Sequence, residues 1–503
     1  MKKVAERKAK LEDAARRREE DDAAAAAAAG LSAEEIGGVP GSTEEDTGMV
    51  EDLSIVEIRK RVCLFLTVKD AIACARVCKD WTDDFTSSVW HTIEEPSCLK
   101  LAQSDSSIVS KHGHRIRVVK ALTTYTLVNK LQNASVSKLK SLSVIMAASS
   151  QYLSHTYDLI QRNIDTLASI DLSLPLPISP DLFFTTDAFA PHTHTGSKLT
   201  FLKIRGLRMT RNAFSRLLRI CPSLQHLDIS DTVLQSIIFT DTCQHPTLSH
   251  LTASIEQIFR VDPVLPNTPT LLLHFPNLAI LETWQSTTTP GVTIDTISKE
   301  VAQRCPNLNT IRAREGGLLL PHILVYGTRN LTEICVLHKQ LSSELMMAIL
   351  THKDTLKTVM TLPPSDEIFQ SVNVAAVDDH LAASGWTAQV ILSDCFQLQK
   401  FSFPFHEMDM DDVDRIPWVC HDLETLYVRV KGLNSNELVN RALQMWIDGK
   451  RTRSSMKDKN MNSKTGSKHD SSRDVPIDVR VARHLLRFEK LKCVWLGTKI
   501  RQA

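Results

Sequence analysis

The chain has 503 residues, well past the ~250–300 at which a single compact core stops growing, so it is either several domains or one extended repeat array. Its 59 basic and 58 acidic residues leave a formal charge of +1, which gives neither a nucleic acid nor an anionic membrane a global field to follow. No apolar run reaches the ~18 residues of a spanning helix, and eleven cysteines without a C-x-x-C pair read as reduced thiols, predicting a cytoplasmic or nuclear protein with no membrane partner.

In chain order, residues 1–49 come first: mixed charges, an alanine run from Ala23 to Ala29, then "GLSAEEIGGVPGSTEEDTG". So little apolar surface cannot offset chain entropy, which predicts a disordered tail. Residues 50–95 follow with helical spacing. Ile55, Ile58, Val62 and Leu66 share one face of a first helix, and Thr67 with Asp70 has the spacing of a capping box that starts a second. Cys74, Val77, Cys78 and Trp81 line that second helix, and Phe85, Val89 and Trp90 come after it. About forty residues cannot bury this much apolar surface among themselves. Some of it must face another chain or the rest of this one.

From about residue 135 the sequence repeats itself. Twelve windows share the form L-x-x-[apolar]-x-[usually apolar], beginning at Leu139, Leu167, Leu199, Leu224, Leu248, Leu278, Leu308, Leu331, Leu356, Leu398, Leu423 and Leu491. The fourth and sixth positions lie two apart, so on a strand they point to one face, and each window predicts one short strand. Cys221, Cys305, Cys395, Cys420, Phe275 and Phe488 stand three positions before the first leucine, where a preceding helix should stop. "RNAFSRLLRICP", "IDTISKEVAQRCP" and "SSELMMAILTH" carry helical spacing through Phe214, Leu217 and Leu218, through Ile294, Ile297 and Val301, and through Leu345 and Ile349. The unit is therefore helix, break, strand.

Successive first leucines are separated by 23 to 32 residues except for gaps of 42 and 68. The shorter gap holds "NVAAVDDHLAASGW", which reads as the helix of a degenerate extra repeat. The longer holds a polar, basic stretch at about 449–474, which reads as a disordered insertion in one loop. This spacing resembles the leucine-rich repeat family in irregular form, without its asparagine ladder; Thr232 stands at one position where asparagine is expected. The resemblance implies an α/β fold, a curved solenoid over 96–503 with a parallel sheet on the concave side and helices on the convex side.

The stretch before it resembles an F-box: Glu57 with Ile58, Leu66, Asp70, "VCKDW" from Val77 to Trp81, and the closing Val89 and Trp90. The proline usual before the glutamate is Val56 here, a departure that implies a looser grip on the partner. F-box proteins of the leucine-rich class dock a Skp-type adaptor, and through it a cullin, while their repeats hold a protein substrate for ubiquitination. The resemblance thus implies a small all-α three-helix domain at 50–95 that binds the adaptor through Leu53, Ile55, Val56, Glu57, Ile58, Val62, Leu66, Cys74, Val77, Cys78, Trp81 and Trp90. A phosphorylated substrate would want an arginine cluster on the strands, and Arg205, Arg312, Arg314 and Arg429 fall at or beside strand positions.

Catalytic chemistry is not legible. There is no phosphate-cradling glycine loop and no G-x-S-x-G turn, "HGH" and "HTH" lack ligand partners at metal spacing, and "HEMDMDDVD" lacks the glycine turn of a calcium loop. The expectation is a noncatalytic subunit without cofactor or metal. The alternative is a leucine-rich scaffold that works without a ubiquitin ligase.

Overall fold

The computed structural model describes residues 55–63, 65–95, 99–134, 136–145, 149–174, 184–190, 197–235, 244–259, 270–284, 294–315, 319–337, 343–362, 378–457 and 475–496. The expected tail at 1–49 and the site residue Leu53 lie outside them. Two compact units divide the chain, Met1–Arg59 and Lys60–Ala503. Of the first, only the opening turns of a helix are described.

That helix, α1, spans Ile55–Cys63, and it is followed by α2 at Val68–Ala75 and α3 at Lys79–His91. The capping box forms as expected: the Asp70 N–H donates to Thr67 Oγ1 at 3.3 Å, and the Thr67 N–H donates back to Asp70 Oδ2 at 3.3 Å. The second helix is shorter than its apolar spacing suggested. It stops at Ala75, Val77 and Cys78 form the connection, and Trp81 belongs to α3. The Thr82 hydroxyl imposes this break, reaching the Ala75 carbonyl at 2.9 Å and the Cys78 carbonyl at 3.0 Å, so the end of α2 is closed by a side chain of α3. Leu66 likewise stands beyond the end of α1, not on it.

Strands begin directly after α3. They are β1 (Thr92–Glu94), β2 (Val118–Leu122), β3 (Ser141–Ile145), β4 (Ser169–Ser173), β5 (Phe201–Arg205), β6 (Arg208–Thr210), β7 (His226–Asp228) and β8 (Val233–Gln235). They continue as β9 (His250–Ser254), β10 (Ile280–Trp284), β11 (Thr310–Glu315), β12 (Glu333–Leu337), β13 (Thr358–Leu362), β14 (Lys400–Met408), β15 (Thr425–Val430) and β16 (Cys493–Leu496). Fourteen of them form one parallel sheet in chain order, while β6 and β8 pair separately. The sheet therefore starts at Thr92, inside the stretch expected to be helical domain. Arg115, just before β2, ties this junction to α3 through the Asp83 carbonyl at 2.9 Å and the Asp83 carboxylate at 3.0 Å.

Every one of the twelve leucine windows lays down a strand, and all twelve first leucines are at most 2% exposed. Their fourth positions pair without a slip: Leu142 with Ile170, Ile170 with Leu202, Leu202 with Leu227, and on through Leu251, Leu281, Ile311, Ile334, Val359, Phe401 and Leu426 to Val494. A one-residue slip would turn this row to the opposite face, which is why the apolar spacing fixes the register. The cysteines are buried as predicted, and they close a tight turn: Cys221, Cys305 and Cys420 each accept from the N–H of the first leucine three residues on at 3.1 Å. The same core includes Phe214, Leu217 and Leu218 of the Arg211–Ile220 helix, and Leu345 and Ile349 of the Ser343–Leu350 helix. Side chains of Ile294 and Ile297 lie outside the described set.

Two expectations change. The "NVAAVDDHLAASGW" stretch leads into a helix, Asp378–Asp394, that feeds β14 directly, so it belongs to the Leu398 unit; no strand lies between β13 and β14 among the described residues. The insertion expected from about 449 is helical up to Lys457, within a helix Asn436–Lys457, because Gly449 lies against Leu486 and Lys450 Nζ reaches the carbonyls of Glu489 and Leu491. Where an asparagine ladder is missing, Thr232 Oγ1 donates to the Ile204 carbonyl at 2.7 Å and satisfies that turn instead.

Candidate functional site

Two surfaces collect the residues singled out from sequence. The first is the helical module. Its own core is small: Cys63, Ala71 and Phe85 are buried, with Leu66, Cys74, Ala75, Trp81 and Val89 packed around them, and this cluster is separate from the main core. Trp81 lies 5.3 Å from Phe85, ring centre to ring centre, so it supports the module from inside. Burial raises the pKa of the Cys63 thiol, as expected of a packing cysteine.

Several apolar side chains are left outside that core. In the second unit Phe65 is 86% exposed, Val77 66%, Val62 44% and Ile72 40%. In the first, Ile58 is 49% exposed, while the side chains of Ile55, Val56 and Glu57 are not among those described. Cys78 is exposed and caps α3 without a side-chain hydrogen bond. Trp90 differs from the others: it packs against the main core and stacks on His112 at 4.6 Å. Phe65 and Ile72 escaped the sequence reading. Phe65 falls in the short turn after α1, where helical spacing cannot assign a face.

The second surface is the half-exposed side of the sheet, opposite the buried ladder. Its charges are arranged across strands. Lys203 on β5 reaches Asp171 on β4 at 3.1 Å, Arg205 lies 3.8 Å from Asp228 and donates to Ser230 Oγ at 2.6 Å, and Arg312 on β11 reaches Glu333 on β12 at 2.9 Å. Between them, His226 and His250 face each other across β7 and β9 with ring centres 3.8 Å apart, and Phe201 adds a third ring 4.6 Å from His226. Burial lowers both histidine pKa values, that of His250 to about 4 with help from His226 and Arg312, so both rings are neutral near pH 7.

The arginines expected to act together are dispersed. Arg205 and Arg312 are four strands apart, roughly 19 Å at ~4.8 Å per strand, and each is held by a carboxylate of its own sheet. Arg429 on β15 is four strands further and has no ion-pair partner among the described residues, and the side chain of Arg314 on β11 is not among those described. The chain matches no protein-family model and no curated protein.

The remaining motifs serve the fold. Within "HEMDMDDVD", Asp409 caps the Met410–Arg415 helix, and Asp411 and Asp414 hold Arg480 at 2.8 and 2.6 Å. "HGH" supplies His112 to the Trp90 stack, and "HTH" at 192–194 lies outside the described residues. Among the described residues no group of three or more His, Cys, Asp or Glu is placed to hold a metal ion, and no helix is long and apolar enough to cross a membrane.

Proposed function

We propose that this chain is a noncatalytic substrate receptor of a cullin-based ubiquitin ligase, its α1–α3 module an F-box that docks a Skp-type adaptor and its sheet an irregular leucine-rich-repeat array that holds a protein substrate. One observation carries the reading: the segment from Val62 to the end of α3 spends its interior on three buried side chains and leaves Phe65, Val77, Val62 and Ile72 in solvent. A monomer gains nothing by this. Covering four such side chains from about half exposure yields on the order of 5 kcal/mol before association costs, enough to anchor a partner whose polar contacts add specificity. The in-register apolar ladder, with one strand per window, supports the repeat assignment.

The test is capture of a purified Skp-type adaptor by the full chain. Trp81→Ala is a poor probe, since Trp81 packs on Phe85 inside the module. Phe65→Asp and Val77→Asp change exposed positions and should abolish capture while leaving the melting temperature unchanged. Undiminished capture by both variants would leave only the scaffold reading.

A further inference from the structure

A hydrogen-bonded relay that the proposed function does not use runs between two neighbouring helices, Tyr125–Asn133 and Ser150–Asn163. Tyr125 and Gln132 stand two turns apart on the first helix, and His155 and Asp158 one turn apart on the second. The His155 ring bridges the first pair. Its Nε2 lies 3.2 Å from the Tyr125 hydroxyl, the two rings meet edge to face at 5.4 Å between centres, and its Nδ1 meets Gln132 Oε1. Gln132 Nε2 donates in turn to Asp158 Oδ2 at 2.7 Å. All four side chains are half-buried.

The direction of every bond follows from one end. A carboxylate accepts and does not donate, so Asp158 draws the amide nitrogen of Gln132 toward itself and leaves the amide oxygen facing His155. That oxygen also only accepts, so Nδ1 carries the proton of the neutral ring and Nε2 presents its lone pair. The Tyr125 hydroxyl therefore donates to Nε2. A hydroxyl, a base that takes its proton and a third group that orients the base are the parts of an activated nucleophile.

We propose that Tyr125 is an acylation site, its hydroxyl attacking the carbonyl carbon of an activated acyl donor such as a thioester. The bond from Tyr125 oxygen to that carbon forms and the bond from carbon to sulfur breaks. The phenolic proton passes to His155 Nε2 and from there to the departing thiolate, leaving an acyl-tyrosine and a free thiol. An anionic phosphoryl donor is the poorer fit: Asp158 belongs to the relay, the Glu95 carboxylate is held by Thr123 and Thr124 just before Tyr125, and Arg162 is engaged by the Gln132 carbonyl. The assignment goes beyond the ligase reading and stands without it.

Tyr326 provides an internal standard. It is 63% exposed, the most open of the chain's five tyrosines, and its hydroxyl has no hydrogen bond among the described residues. The full chain is treated with N-acetylimidazole, which undergoes the same attack with imidazole as leaving group, and acetylation of each tyrosine is followed over time by peptide mass spectrometry. Access alone would rank Tyr326 first. A positioned base reverses the order, and Tyr125 should react at least about tenfold faster than Tyr326. His155→Gln keeps a hydrogen-bond acceptor beside the hydroxyl but no base, so Tyr125 should fall below Tyr326 while Tyr326 keeps its own rate. If that variant lowers the melting temperature, Gln132→Leu, which leaves the base but releases its tautomer, gives the same comparison with a smaller loss. The proposal fails if Tyr125 in the unaltered chain reacts no faster than Tyr326, or if a variant as stable as the unaltered chain keeps the fast rate.

Discussion

His484 stands against Trp418 and Phe488, at ring-centre distances of 4.3 and 5.6 Å, with both ring nitrogens buried and lacking a hydrogen-bond partner. Burial, reinforced by Arg487, lowers its pKa from 6.5 to about 3. The unfolded chain therefore binds a proton that the folded chain refuses between those two values, and this group favours folding fully above pH 6.5 and progressively less as pH falls toward 3. The loss is on the order of 4 kcal/mol across that range. His484→Phe should flatten the acid limb of a melting-temperature profile; an unchanged limb would show that the ring is solvated. Glu95 shows the opposite balance. Burial alone would raise its pKa, but donors from Thr123 and Thr124 outweigh it and the net shift is downward. Neither environment could be read from sequence, because Trp418 stands 66 positions from His484, and Thr123 and Thr124 stand 28 and 29 positions from Glu95.

Gly385 decides how one helix meets one strand. A Cβ placed there would lie 2.2 Å from the Glu407 carbonyl oxygen, so the Asp378–Asp394 helix approaches β14 more closely than any side chain permits. Gly385→Ala would raise helix propensity on an exposed helix, yet here it must push the helix off the strand, and a loss of about 2–4 kcal/mol in denaturant unfolding is expected. A neutral or stabilising result would mean that the two elements are free to separate. Spacing alone predicted the helix of this unit. The reason for its glycine needed the strand beside it. The same limit applies to β1 and β2, which no leucine window announced. Ile116 and Val119 occupy the first and fourth positions of the β2 unit, buried like the leucines of later units, so a search for Leu passed over a chemically equivalent isoleucine.

Across the whole sheet, each unit meets chiefly its two neighbours, and stability should accumulate as a chain of local interfaces. Leu227→Ala, in the middle of the apolar row and fully buried, is expected to cost about 2–5 kcal/mol. Its signature in hydrogen exchange should be faster opening of β5, β7 and β9 with β14 and β15 little changed; uniform acceleration over all fourteen strands would show a single cooperative unit. The sequence by itself determined the repeat: which residues lie on strands, which face is buried, and that consecutive units pair in parallel without slipping. It could do so because apolar spacing within a window and leucine recurrence between windows are local quantities. Only the tertiary structure decided which charges are spent on one another. Arg205 and Arg312 were legible as strand residues, but the carboxylates that neutralise them come from neighbouring units. Electrostatic partnership depends on distance through space, and spacing along the chain carries no record of it.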